Sequence, residues 1–143
     1  MDSKSYSLLL SCSRPIVIFD LWQTILDSTR KPSELLLEIQ NEFRIDFNMK
    51  YATERLFQSQ LYLSSMPLED AAKSYLSEIG LDGDWIVQRF VYLWKMLIKT
   101  AFLLPKSREV MMELRKRNST IVLLSNSDSY SWEILRQIGR AHV

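Results

Sequence analysis

The pattern of apolar and polar positions divides the chain into a short strand, a long helical block, and then a helix leading into a second strand. Pro15 opens a continuous apolar run, Ile16-Val17-Ile18-Phe19, with the length and β-branching of a strand buried on both faces of a parallel sheet. Lys31-Pro32-Ser33-Glu34 then starts a helix, with Pro in its first turn and Leu35, Leu36, Ile39 and Phe43 on one face. From there to Leu103 the pattern stays helical. Tyr51 to Leu63 carries Leu56, Phe57, Gln60 and Leu61 at helical spacing. Pro67 to Ile79 carries Leu68, Ala71, Ala72, Tyr75, Leu76 and Ile79, and stops at Gly80 as a helix C-terminus should. Leu81-Asp82-Gly83-Asp84 supplies a flexible glycine and an acidic N-cap for a long helix that follows.

After Leu104-Pro105 comes an amphipathic helix, Ser107 to Arg117, with Val110, Met111 and Leu114 facing inward. Arg115-Lys116-Arg117 stand near its C-terminus, where the helix dipole favours cations. Asn118-Ser119 breaks it. Thr120-Ile121-Val122-Leu123-Leu124 reads as a second buried strand, ending in Ser125-Asn126-Ser127-Asp128, and Ser131 can cap a further helix running to about Ile138. The order predicts an α/β fold: a parallel-sheet core of βαβ type with a large helical insertion after its first strand.

The totals change this picture little. The chain has 143 residues, 47% of them hydrophobic and 24% charged, which is the balance of one ordinary globular domain. A formal charge of +1, with Lys and Arg scattered, is not the electrostatic footprint of a nucleic-acid binder. Cys12 is the only cysteine, which excludes an internal disulfide and a CxxC pair and fits a reducing cytoplasm. The three-leucine core of MDSKSYSLLLSCSRP is too short for a signal-peptide apolar region. Trp85 to Leu104 is the most apolar stretch, yet Arg89, Lys95 and Lys99 fall inside it and each would cost about 2.5–3.5 kcal/mol at a bilayer centre. A buried helix is therefore expected there, with no membrane partner. The aromatics Tyr51, Phe57, Tyr62, Tyr75, Trp85, Phe90, Tyr92 and Trp94 are expected to lie mostly in the helical core.

Ligands of open parallel sheets sit outside the carboxyl ends of the strands. Two polar clusters, Asp20 to Ser28 and Ser125 to Asp128, follow such ends, so neighbouring strands would bring them to one crevice. Phe19-Asp20-Leu21-Trp22-Gln23-Thr24-Ile25-Leu26-Asp27-Ser28 resembles the first motif of the haloacid dehalogenase-like hydrolase superfamily, an apolar strand followed by DxDGTLxDS. Ile121-Val122-Leu123-Leu124-Ser125-Asn126 is similar to its second motif. The block from Ser28 to Leu103 resembles in place and size the helical cap of the first type.

The resemblance implies a Rossmann-like core, incomplete in this chain, with segments 15–28 and 104–137 as core and 29–103 as cap, behind an N-terminal tail of 1–14. It implies that Asp20 is the nucleophile, forming an aspartyl intermediate. Ser125, Asn126 and Thr24 would bind the substrate or support its loop, and Asp27 would tether the turn. In the phosphatase branch Mg²⁺ would be held by the Asp20 carboxylate and the main-chain carbonyl of Trp22, and the substrate would be a small phosphorylated metabolite.

Two positions depart from the motif. Trp22 stands where the family has its acid/base aspartate, and indole cannot carry a proton to a leaving oxygen. Gln23 stands where the family has glycine. Haloacid dehalogenases carry an aromatic residue at the first of these places and need no metal, so that branch stays open, as does a binding member without catalysis. The lysine and acidic motifs of the family would follow further strands, and Ile138 to Val143 reads like one frame of a sequencing-library adapter. Residues 138–143, His142 included, are set aside as a non-native tail. The expectation is the first part of a longer protein, itself inactive and of marginal stability.

Overall fold

A computed structural model describes residues 14–63, 66–128, 130–134 and 136. Cys12, Gln137 and the tail with His142 lie outside them. The fold is mixed α/β. In chain order it runs β1 (Ile16–Asp20), β2 (Leu26–Ser28), α1 (Pro32–Phe43), α2 (Met49–Phe57), α3 (Gln60–Leu63), α4 (Leu68–Glu78), α5 (Asp84–Lys99), β3 (Ala101–Leu103), α6 (Ser107–Lys116) and β4 (Thr120–Leu124). Two compact units result. One holds the described parts of Met1–Asp27 and Leu103–Ser125, the other those of Ser28–Phe102 and Asn126–Val143.

The first unit is built on the pairing of β1 with β4. The two strands are parallel and in unbroken register, from Ile16 opposite Thr120 to Asp20 opposite Leu124, and α6 packs against β4. The expectation that both strands are buried on both faces is corrected: Ile16 is 66% exposed and Leu124 60%, while Val17, Phe19, Ile121 and Val122 are half-buried. Apolar runs identify parallel strands because such sheets are normally covered on both sides. Here each described strand has one sheet neighbour, and α6 buries no residue fully. Val110, expected inward, is exposed, and Met111 and Leu114 are half-buried.

The second unit holds the core. Leu35, Leu36 and Ile39 of α1, Ala52 and Leu56 of α2, Ala71, Ala72, Tyr75 and Leu76 of α4, and Ile86, Phe90, Trp94 and Ile98 of α5 are all buried. Gly80 terminates α4 as expected, at φ +79. Leu81 N–H donates to the Leu76 carbonyl (2.8 Å) and Gly80 N–H to that of Ser77 (3.1 Å), the paired bonds of a left-handed helix stop. On the surface, Arg30 and Arg89 both reach Glu38, at 2.6 and 3.2 Å, and Arg89 also reaches Glu42 at 2.8 Å, linking α1 to α5.

Four further expectations are corrected. The helix expected over Tyr51 to Leu63 is two helices, because the Ser59 hydroxyl donates to the Leu56 carbonyl (2.7 Å) and accepts from Leu61 N–H (3.3 Å), satisfying backbone groups where the helix would have continued. Asp84 is the first residue of α5, and its N-cap is Gly83. Residues 101–103 form β3, which pairs with β2, so the helical pattern ends at α5. The aromatics divide evenly: Tyr51, Phe57, Trp85 and Tyr92 are exposed, Tyr62 is half-buried, and Tyr75, Phe90 and Trp94 form the interior cluster. Trp85 meets the edge of Phe43, at 4.4 Å between ring centres.

Residues 130–134 are helical, and their N-cap is Asp128 in place of the expected Ser131. Asp128, 2% exposed, accepts from Trp94 Nε1 (2.9 Å), from Ser131 N–H (2.9 Å) and from the Ser131 hydroxyl (2.6 Å). A buried carboxylate with three donors is a strong acceptor whose loss strands those donors. Asp128→Ala is therefore expected to destabilise the helical unit by about 2–4 kcal/mol, measured by denaturant unfolding with Trp fluorescence. A change under about 1 kcal/mol would show that the cluster is dispensable.

Two phenols make the same unit sensitive to alkali. Burial pushes the Tyr62 hydroxyl well above the usual phenol range, with the Asp128 charge adding to it. Burial does the same for Tyr75, whose hydroxyl donates to the Ala52 carbonyl at 2.8 Å. A group raised in the folded state stays protonated there while the unfolded chain ionises, so its stability is complete below about pH 10 and falls as pH climbs beyond. Melting temperatures measured between about pH 9 and 12 should drop steeply. Tyr62→Phe and Tyr75→Phe should flatten that drop, the latter at a neutral-pH cost of about 1 kcal/mol.

Candidate functional site

The candidate site is the carboxyl end of the β1/β4 pair. β1 carries Asp20 as its last residue, exposed, and β4 carries Leu124 opposite it, with Ser125 next in the chain. Neighbouring strands lie about 4.8 Å apart. The register therefore brings the Asp20 and Ser125 backbones to the same end of one small sheet. Asn126, also exposed, is the first residue after the division between the two units.

The segment after Asp20 is a tight, apolar-anchored turn. Leu21, Ile25 and Leu26 are buried at 2–4% exposure and hold it from beneath, while Gln23 and Thr24 face solvent. The Leu21 carbonyl accepts from both Ile25 and Leu26 N–H, each at 2.9 Å, and Gln23 N–H donates to the Leu26 carbonyl at 2.6 Å. A single bridge also pairs Trp22 with Leu26. Buried residues at both ends of the six-residue stretch, with the exposed tip between them, let it hold one shape. Within it the Thr24 hydroxyl donates to Oδ2 of Asp20 at 3.3 Å, which orients the carboxylate and leaves Oδ1 for other partners.

Of the residues singled out from the sequence, Asp20, Thr24, Trp22 and Ser125 belong to one unit, and Thr24 touches Asp20 directly. Trp22 is half-buried two positions beyond Asp20. Asp27 lies on β2, also half-buried. Among the described residues, no group of three or more His, Cys, Asp and Glu side chains is gathered as a metal site. The contact of Thr24 with the carboxylate was not legible beforehand, because a four-residue separation across a turn has no fixed geometry until the turn is known. Asp128 and Trp94 were missed as a pair. The Asp128-to-Ser131 spacing is an N-cap signature that points to the first of them.

A surface groove of about 570 Å³ lies elsewhere, along the outer face of α1, lined by Arg30, Glu34, Leu37, Glu38, Asn41 and Glu42. Arg30, Glu38 and Glu42 in its lining take part in the ion pairs described above. No helix among the described residues is long and apolar enough to cross a membrane. No protein-family model matches the chain, and no curated protein matches it.

Gln23 takes the left-handed conformation, φ +60, at the position where the resembling motif has glycine. A side chain there carries about 1–2 kcal/mol of strain, against about 0.4–1 kcal/mol of unfolded-state entropy that a glycine would add. Gln23→Gly is thus expected to leave stability level or raise it by up to about 1 kcal/mol, whereas the β-branched Gln23→Val should lower it by at least about 1 kcal/mol. Denaturant midpoints of the two variants measure the difference, and coincident midpoints would show that the turn does not require this conformation.

Proposed function

We propose that the chain is a hydrolase of the haloacid dehalogenase-like kind, its β1/β4 pair belonging to a Rossmann-like core and its helical unit serving as the cap. Asp20 attacks a small phosphorylated metabolite, and the reaction is Mg²⁺-dependent. The observation that carries this reading is the register that sets Asp20 opposite Leu124 at the carboxyl ends of two parallel strands.

In this reading the Asp20 carboxylate forms the bond to phosphorus through Oδ1, while Thr24 fixes Oδ2. The bond from phosphorus to the donor oxygen breaks in the same step, and the electron pair leaves with that oxygen, which takes a proton from solvent. Water then attacks the aspartyl phosphate, releasing phosphate and restoring the carboxylate. The Ser125 hydroxyl and the main-chain N–H groups around the turn hydrogen-bond the phosphoryl oxygens, where negative charge is spread in the transition state. Thr24 doubles as turn support, and Asn126 supplies a main-chain donor. The donors available to a cation, the Asp20 carboxylate and the Trp22 carbonyl, are hard oxygens. Mg²⁺ commonly takes one or two carboxylates, with water and substrate phosphate completing its shell, so these residues fit it. When bound, it neutralises charge on the phosphoryl group.

A second reading, carbon–halogen hydrolysis without metal, is favoured by the half-buried indole of Trp22, since a halide departs without a proton. There Asp20 would form an ester to carbon as the halide leaves.

The test uses the product of the full reading frame. Aryl phosphate cleavage with Mg²⁺ is expected to fall to background in Asp20→Asn and by about a hundredfold to a thousandfold in Ser125→Ala. Unchanged cleavage in Asp20→Asn overturns the assignment of the nucleophile. Halide release from a 2-haloacid without added metal, in place of phosphate release, selects the second reading.

A further inference from the structure

The outward face of α5 carries one stripe of large side chains. Trp85, Arg89, Tyr92 and Met96 stand at intervals of four, three and four residues, the spacing that keeps side chains in line along a helix and forms the seam between paired helices. Trp85 is 53% exposed, Tyr92 54% and Met96 39%, whereas Ile86, Phe90, Leu93, Trp94 and Leu97 of the same helix are buried in the core of the unit. The stripe is held in place. The indole of Trp85 meets the edge of Phe43 and lies over Gly83, where a Cβ would come to 3.0 Å from Nε1. The Arg89 guanidinium stands over the Tyr92 ring, 5.4 Å from its centre, and is also bound by Glu38 and Glu42 of α1. Single apolar residues are ordinary on a surface, but an aligned row of Trp, Arg, Tyr and Met has the composition found at the centre of protein–protein interfaces. Side chains ordered in advance lose less entropy on association.

We propose that this stripe is the interface between two copies of the chain, packed as an antiparallel pair of α5 helices. Two features select a second copy as the occupant. The intervals four, three, four read the same in both directions, so a twofold axis between Arg89 and Tyr92 sets Trp85 beside the partner's Met96 and Arg89 beside the partner's Tyr92, as an isologous contact requires. Indole against thioether and guanidinium on phenol are both favourable pairs. The charges at the two ends are complementary as well. Exposed Asp82 and Asp84 make the N-terminal end of α5 acidic, and exposed Lys99 makes its C-terminal end basic. Antiparallel packing brings the acidic end of each copy to the basic end of the other and opposes the two helix dipoles, whereas parallel packing would set like charges together. Trp85 to Met96 spans about 16 Å of helix, so the contact belongs to the small class of interfaces and dimerisation falls in the micromolar range. Every residue in it lies in the helical unit, and the proposal is independent of the hydrolase reading.

Analytical ultracentrifugation of the full-reading-frame protein over about 1–100 µM tests this. The wild-type protein is expected to pass from monomer to dimer across that range. Trp85→Glu and Tyr92→Glu, each checked for folding by circular dichroism, should weaken dimerisation at least about tenfold. Lys99→Glu should weaken it about threefold or more. Adding Asp82→Lys to Lys99→Glu should restore it, because the exchanged charges again meet their opposites across the axis. A wild-type protein that stays monomeric through about 100 µM would overturn the proposal in favour of a different protein as occupant. A dimer left intact by both Trp85→Glu and Tyr92→Glu would overturn it by placing the interface elsewhere. Lys99→Glu without loss, or with a loss that Asp82→Lys does not repair, would overturn the antiparallel arrangement.

Discussion

The parallel pairing of β1 with β4 is the constraint on which every statement about the candidate site depends. It joins Asp20 to the neighbourhood of Ser125 although an entire helical unit separates them in sequence. Closing so long a loop is less costly than it looks, because closure entropy grows only with the logarithm of length. The helical unit lowers it further. β2 enters that unit and β3 leaves it, and the two strands are hydrogen-bonded neighbours. The ends of the insertion are thus already together once it has folded, and the crossover from β1 to β4 becomes short in space. A helical unit with its own buried core, from Leu36 to Trp94, can accordingly be inserted in the chain between the two strands without loosening their register.

Order and type of the long elements were legible because they rest on periodicity. The apolar runs before Asp20 and Ser125 are strands, the amphipathic stretches are helices, and Gly80 stops α4 by adopting the left-handed conformation that glycine permits. What sequence left hidden is set by interactions that periodicity does not encode. The break at Ser59 comes from one hydroxyl competing for backbone groups. The strands β2 and β3 are three residues each, shorter than a pattern needs to declare itself. Exposure of Ile16, Ile18 and Leu124 depends on which neighbours cover a strand, and a run of β-branched residues records only that it can be covered. The aromatic stripe misleads for a related reason: Trp85 and Tyr92 have helical spacing with the core residues of α5 but fall on its outward face.

For the site, the strand-end positions of Asp20 and Ser125 could be read from sequence, since a carboxylate and a hydroxyl following apolar runs have few other places to be. The turn between Asp20 and β2 could not. Its shape follows from three buried side chains, Leu21, Ile25 and Leu26, acting together with a left-handed Gln23. Only that shape returns Thr24 to the carboxylate.

The same turn connects rigidity with chemistry. A carboxylate held at one oxygen presents the other, and Thr24 does the holding. Trp22 is half-buried in the same turn and bridged to Leu26, so the indole belongs to the anchored part of the turn while Thr24 reaches the carboxylate. The buried Leu21, Ile25 and Leu26 and the left-handed Gln23 are thus one arrangement, which fixes the backbone so that a single hydroxyl meets Oδ2 of Asp20.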